Sequence, residues 1–436
     1  MQKGRTAGLL VGALVLAAVL CGCSYGPTSE RLFTLPQLPI EYTDLSRQIN
    51  ELIAEGYEYA SPSSGRNIQS VQMVDLDGDG DEEAVAFFRR SSDERPLKVF
   101  IFRARGEIYD QLCVIESSGT AVDSVYYRDL TGDGILELVV GWRISSDVQT
   151  VAVYTAEAEP TVLMQSSYVR CSIEELDGDG IPSLLLLRVD SRENNVAEFY
   201  SWHGESMAVS YSVTLSNTMA DLTRGSVVSG KLDDETPAVF VTGVSEEAVA
   251  TTDILICRKG SGLVNVAADR RTGRSGIVFP YMQLRPQDIN GDGVIEVPSP
   301  LDTSGVQGDG LVMWRQYNGN GQYTPVLYTY HSPSGGWYFT LPQEWRSRID
   351  VAMAENISNE AQTTLLVDGR AAISIYMLTG ENRENRALRG NRLILERQTG
   401  TIYAGELLSA GQELGLTEDF LRHSFHLVVQ QWTNLT

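Results

Sequence analysis

The sequence predicts a mainly β protein: a β-propeller built of blades about 50 residues long with Ca2+-binding loops, followed by a C-terminal α/β domain. Three observations lead there. An acidic loop recurs with its spacing kept, each copy runs into an apolar strand, and the pattern stops near Pro333. The intact copies are Asp75-Leu76-Asp77-Gly78-Asp79-Gly80-Asp81-Glu82-Glu83, Asp129-Leu130-Thr131-Gly132-Asp133-Gly134-Ile135-Leu136-Glu137 and Asp288-Ile289-Asn290-Gly291-Asp292-Gly293-Val294-Ile295-Glu296. Two weaker copies are Glu175-Leu176-Asp177-Gly178-Asp179-Gly180, with Ser183 at position 9, and the segment Gly230 to Pro237, which has lost the spacing. The starts fall near residues 75, 129, 175, 231 and 288, a period of 46 to 57 residues. That is close to a four-stranded blade and far longer than a β-helix coil. A single blade cannot bury both of its faces, so neighbours must supply the core.

Ahead of the repeats, Lys3 and Arg5 precede an apolar or small stretch from Gly8 to Leu20. It is shorter than the roughly 20 residues a membrane span needs, and reads as an export signal. Its ending, Leu20-Cys21-Gly22-Cys23, resembles the bacterial lipobox. That resemblance implies cleavage before Cys23, lipidation of Cys23, and an extracytoplasmic protein anchored to a bacterial membrane. Residues 1–22 are therefore the expected signal peptide, and residues 23–40, with Pro27, Pro36 and Pro39, a tether.

Residues 41–332 are expected to hold one helix and the propeller. In Asp44 to Ala54, Leu45, Ile49, Leu52 and Ile53 recur at helical spacing, and Gly56 is a stop signal. Strands are expected after the loops at Ala84–Phe88, Leu138–Trp142, Leu184–Leu187 and Ala238–Val241. Second strands follow, among them 99–102, 151–154, 197–202, 254–256 and 311–317, ending in Gly- or Asn-containing turns, the mark of antiparallel structure. Residues 333–436 lack acidic loops and form the expected small α/β domain. Its strands are placed at Ile349–Met353, Thr363–Val367, Ala372–Met377 and Leu393–Arg397, and a helix at Thr417–Val429 has Thr417 as N-cap with Glu418 and Asp419 in its first turn.

The loops carry the chemistry. Oxygen side chains at positions 1, 3 and 5, Gly at 6 and an acid at 9 converge hard ligands on one cation, and the Gly permits the sharp turn. The expected ligands are Asp75, Asp77, Asp79 and Glu83 with the Asp81 carbonyl; Asp129, Thr131, Asp133 and Glu137 with the Ile135 carbonyl; and Asp288, Asn290, Asp292 and Glu296 with the Val294 carbonyl. Mg2+ prefers fewer protein ligands and more water, so three structural Ca2+ sites are expected, one per intact loop. The EF-hand alternative fails at position 12, which is Ala86, Val140 or Ser299 instead of Glu. The Glu175 loop lacks one charge at Ser183, and the Asp233-Asp234 loop is expected to bind nothing.

Asp-x-Asp-x-Asp-Gly-x-x-acid loops that lead into blade strands resemble the FG-GAP/VCBS repeat family, whose best-known members are the integrin α-type propellers. The resemblance covers roughly residues 65–330, although literal Phe-Gly and Gly-Ala-Pro signatures are missing. It implies loop cations that are structural or support adhesion, and it does not imply catalysis. The run from Gly336 to Trp345, with its Pro-x-x-Trp, and the β-rich stretch and last helix after it are similar to PsbP/Mog1-like α/β sandwich domains.

Composition narrows the function further. The chain carries 34 Lys and Arg against 57 Asp and Glu, a net charge of −23, so it offers no basic stripe for nucleic acid. Past Cys23 only Cys113, Cys171 and Cys257 remain, which is no disulfide framework, and no CxxC pair suggests zinc. The His423 and His426 pair is not an HExxH motif, and Asp302-Thr303-Ser304-Gly305 is a single, imperfect echo of an aspartic-protease signature. No GxSxG elbow or GxxxxGK phosphate loop occurs. Trp202, Trp314, Trp337 and Trp345 fit core positions better than sugar platforms. The expected role is non-catalytic binding or scaffolding at the cell envelope, with the membrane reached through the lipid and an envelope protein or glycan as partner. The alternative is a carbohydrate-active lyase or hydrolase on the same scaffold.

Overall fold

The computed structural model describes residues 42–301, 310–332, 334–354 and 359–428. The expected signal segment, tether and lipidated Cys23 lie outside these residues, as does the whole Asp302-Thr303-Ser304-Gly305 motif. The chain is mainly β. Among the described residues six antiparallel sheets follow one another in sequence, over residues 58–117, 121–168, 170–214, 226–280, 297–341 and 349–407, and none closes on itself.

The second sheet shows the recurring unit. Ala121–Arg128, Glu137–Arg143, Gln149–Tyr154 and Val162–Tyr168 pair in chain order, each with the next. The third sheet repeats this up-and-down order from Arg170–Glu174 to Met207–Thr214, and the fourth from Ser226–Lys231 to Gly262–Asn265. In every unit the acidic loop is the turn that leads into the most buried strand. Those strands read as continuous apolar runs because both of their faces are covered.

Strand parity shows what covers them. Val85 and Phe87 of the first sheet meet Leu138 and Val140 of the second in one core. Val139, one residue out of phase, points the other way to meet Leu184 and Leu186 of the third sheet. Leu185 and Leu187 then join Val239 and Val241 of the fourth, and Ala238 and Phe240 join Val297 and Tyr317 of the fifth. The fifth and sixth sheets share the largest core, with Trp337, Phe339, Leu365 and Ile375 in it. The sheets are thus stacked face to face in chain order, each burying alternate residues on alternate neighbours.

The ends of the stack are capped. Helix Thr43–Ala54 lays Leu45 and Ile49 on Ala84, Ala86 and Phe88, the outer face of the first sheet, while Ile53 is 42% exposed. Asp44 fixes the helix by accepting the Tyr109 N–H at 3.0 Å. At the other end, Ala387 of the short helix Arg383–Ala387 covers Tyr376, Leu378 and Ile402 of the sixth sheet. Among the described residues no core cluster joins the first sheet to the sixth. No described helix is long and apolar enough to cross a membrane.

Two features near the C-terminus differ from the sequence expectation. Trp337–Leu341 pairs with Tyr323–His331, so the fifth sheet extends beyond residue 332, the expected end of the propeller region. The last helix starts as expected, with the Thr417 side chain accepting the Phe420 N–H, but it spans only Glu418–Ser424. Phe425–Leu427 is a strand instead, added to the edge of the fifth sheet by pairing with Trp337–Leu341. Phe425 is buried against Trp337 and Tyr403, and that burial overrides the helical signal of the segment.

Candidate cation-binding loops

The intact loops share one backbone design. The position-1 Asp accepts the N–H groups of both loop glycines, from Gly78 and Gly80 at 2.7 and 3.1 Å, from Gly132 and Gly134 at 2.6 and 2.9 Å, and from Gly291 and Gly293 at 2.7 and 2.9 Å. All six glycines have positive φ, between 73° and 95°, which explains why both positions 4 and 6 are Gly. The position-5 Asp accepts the N–H two residues on, from Asp81, Ile135 or Val294. The position-9 Glu reaches back to the position-2 N–H at Leu76, Leu130 or Ile289. Each loop is therefore wound by its own carboxylates before any cation is considered.

The position-2 leucines, which the loop chemistry does not use, turn inward, whereas Ile289 of the third intact loop is half-buried. Leu76, Leu130, Leu176 and Leu232 each sit in one of the cores between sheets, including the two loops that lost ligands. Neighbouring loops also touch, with the Leu136 N–H donating to the Leu76 carbonyl at 2.8 Å and the Ile295 N–H to the Lys231 carbonyl at 2.9 Å.

What remains for a cation differs from loop to loop. In the first loop, Asp75, Asp77 and Glu83 each place a carboxylate oxygen within 4.8 Å of the others. Glu83 is 1% exposed, and Glu83 Oε1 and Asp77 Oδ1 have no hydrogen-bond partner. Arg103 comes no closer than 3.6 Å, to the other oxygen of Asp77. Burial pushes the Glu83 carboxyl above the usual range, and the charges of Asp77 and Asp79 add to the push. Asp79 is outside the converging set, its Oδ1 held by the Asp81 N–H. These acidic groups could hold a metal ion.

In the second loop, burial pushes the Glu137 carboxyl up to about 7, with Asp133 and Asp129 adding to it. Its Oε1 has only the Thr131 hydroxyl, at 3.5 Å. In the third, the Gln316 amide donates to Asp292 Oδ2 at 2.7 Å and Glu296 Oε1 at 2.8 Å, and Asn290 donates to the same Asp292 oxygen. Neither loop brings three acidic groups together, whereas the degenerate loop does with Glu175, Asp177 and Asp179, all exposed. Arg103 and Gln316 lie on strands that follow the loops and are invisible to a motif search.

The other candidates resolve simply. His423 bonds the Asp419 carbonyl, while His426 stacks on Tyr338 with centroids 4.8 Å apart. Trp314, Trp337 and Trp345 are buried. The Cys113 thiol is pushed up to about 11, and those of Cys171 and Cys257 to about 12, all by burial first, which makes them poor nucleophiles.

No family model and no curated protein matches the chain. Among solved structures, an exo-β-1,3-galactanase from Phanerochaete chrysosporium, determined with β-1,3-galactotriose, aligns over 81% of this chain and 90% of its own. The identity is 8% and the TM-score 0.25, too low to carry any argument about fold or chemistry.

Proposed function

We propose that this chain is a lipid-anchored, extracytoplasmic binding or scaffolding protein of the bacterial envelope, non-catalytic, whose sheets are blades of an open β-propeller stiffened by Ca2+. One observation carries the cation: Glu83 is 1% exposed and keeps an unpartnered oxygen beside Asp75 and Asp77. A buried carboxylate with like-charged neighbours is costly until a cation or donor answers it. A hard divalent ion does so, and several protein oxygens on a short loop suit Ca2+ better than Mg2+. The four-stranded meanders packed face to face support the propeller reading. Such stacks build extended surfaces suited to an envelope protein or a glycan. The lipobox-like Leu20-Cys21-Gly22-Cys23 supports the anchor.

Thermal melts of the chain in EDTA and in excess Ca2+ test the cation. At a Ca2+ concentration about 100 times its Kd, the bound ion adds about 2.7 kcal/mol, so the midpoint falls on chelation. Glu83→Gln keeps an acceptor for the Leu76 N–H and removes most of that shift. Coincident melts in the two buffers refute the structural cation. The anchor has its own test: Cys23→Ala moves the protein from the membrane fraction to the soluble one, and retention at wild-type level refutes lipidation. The partner is sought by screening envelope glycans and proteins with and without Ca2+.

A further inference from the structure

Strand register gives every acidic loop a fixed neighbour. The residue at position 9 begins or immediately precedes a strand, and the next strand in the sheet places one residue opposite it. The pairing of Ala84 with Phe102 sets Glu83 against Arg103, that of Leu138 with Tyr154 sets Glu137 against Thr155, and that of Leu184 with Tyr200 sets Ser183 against Ser201. In the fifth sheet Val297 pairs with Arg315, which sets Glu296 against Gln316. One structural position thus carries a guanidinium, a hydroxyl or an amide, depending on the sheet.

The consequences are visible in the hydrogen bonds. Ser183, which has lost the acid, bonds Ser201 at 3.0 Å, hydroxyl to hydroxyl. Arg103 reaches Asp77 at 3.6 Å and leaves Glu83 Oε1 unanswered. Gln316 spends both protons of one NH2 group on two carboxylates, Asp292 Oδ2 at 2.7 Å and Glu296 Oε1 at 2.8 Å. The remaining acid, Asp288, is already taken up by the N–H groups of Gly291, Asp292 and Gly293. Glu296 is fully buried, yet both of its oxygens are satisfied, the second by the Ile289 N–H.

We propose that Gln316 is the specificity-determining residue of the 288–296 loop: its amide ties Asp292 to Glu296 in place of a cation, so this loop folds without metal. The inference rests on the reading of intact acidic loops as Ca2+ sites, and it narrows the load from three loops by removing one. A neutral donor also suits this position physically, because it ties the buried Glu296 carboxylate to the exposed Asp292 carboxylate at fixed geometry without the dehydration a Ca2+ ion requires.

Calcium counting by isothermal titration of the whole chain tests it. Gln316→Ala is expected to bind one more Ca2+ per chain than the wild type, because the two carboxylates regain free oxygens. Glu296→Gln, with Gln316 in place, is expected to leave the count unchanged. An unchanged count in Gln316→Ala, or a count lowered by one in Glu296→Gln, overturns the proposal. If Gln316→Ala fails to fold, Glu296→Gln decides, since it keeps an acceptor for the Ile289 N–H. Glu83→Gln is the separate arm and should lose one Ca2+. If it loses none, the first loop is not a cation site, while the two fifth-sheet variants still give their own answer.

Discussion

Replacing Leu130 by Ala is expected to destabilise the chain by about 3 kcal/mol, several times the effect of removing Asp133 from the same loop. Leu130 is fully buried among Val139, Val151, Val153, Leu184 and Leu186, in the core shared by the second and third sheets. Truncation there opens a cavity between two sheets whose backbones are fixed by their own ladders, so little collapse relieves it. Asp133 is exposed and its structural contribution is a single bond from the Ile135 N–H at 2.9 Å, a loss on the order of 1 kcal/mol. Urea unfolding of both variants in EDTA separates this packing effect from any cation effect. Equal losses would mean that the loop is held by its polar winding, and the hydrophobic-anchor account would be wrong. The degenerate loops argue for the anchor: Leu232 is 1% exposed although its loop has lost the ligand spacing. Selection on such a loop can relax the acids first and the leucine last, because only the leucine is bound into a core.

Much of this was legible in the sequence because it is local. Asp and Gly at fixed offsets wind a loop through bonds of two to five residues, and an apolar run after the loop can only be a strand covered on both faces. The strands at Glu83–Arg89, Glu137–Arg143 and Ser183–Val189 contain the expected segments for that reason. Ligand sets were less legible. Asp75, Asp77 and Glu83 do converge, but Asp79 is drawn into its own turn and Gln316 occupies the neighbourhood of Asp292 and Glu296. Gln316 is set against Glu296 by strand pairing 20 residues along the chain, so only the register exposes it. The strand Thr401–Leu407 lies beyond the sequence expectation, although Thr399-Gly400, with Gly400 at φ 86°, separates it from Leu393–Gln398 by a tight turn. Phe425–Leu427 carried no such signal. It is a strand because the fifth sheet offers it an open edge and a buried place for Phe425.

Acidification is expected to weaken the fifth sheet through His331, and His331→Phe is expected to remove that sensitivity. The His331 ring is 8% exposed, neither ring nitrogen has a partner, and it lies between Tyr338, with centroids 5.0 Å apart, and Trp314, at 5.8 Å. Burial pushes its pKa down to about 4. An unfolded chain restores it to about 6.5, so between these values the unfolded state binds the proton and the native state does not. Stability from this group is therefore complete above about pH 6.5 and is lost as pH falls through about 4, roughly 3 kcal/mol over the whole window. The buried acids run the other way. Glu83, Glu137 and Glu296 are shifted upward by burial, so their protonation on acidification favours the folded state and masks part of the histidine effect. The informative quantity is thus the difference between wild type and His331→Phe, since Phe fills the aromatic stack without titrating. Urea midpoints from pH 7 to pH 4 should diverge, the variant gaining on the wild type as pH falls. A difference that stays constant across that range would show that His331 is hydrated or partnered in solution and that the aromatic stack is not the acid-sensitive element.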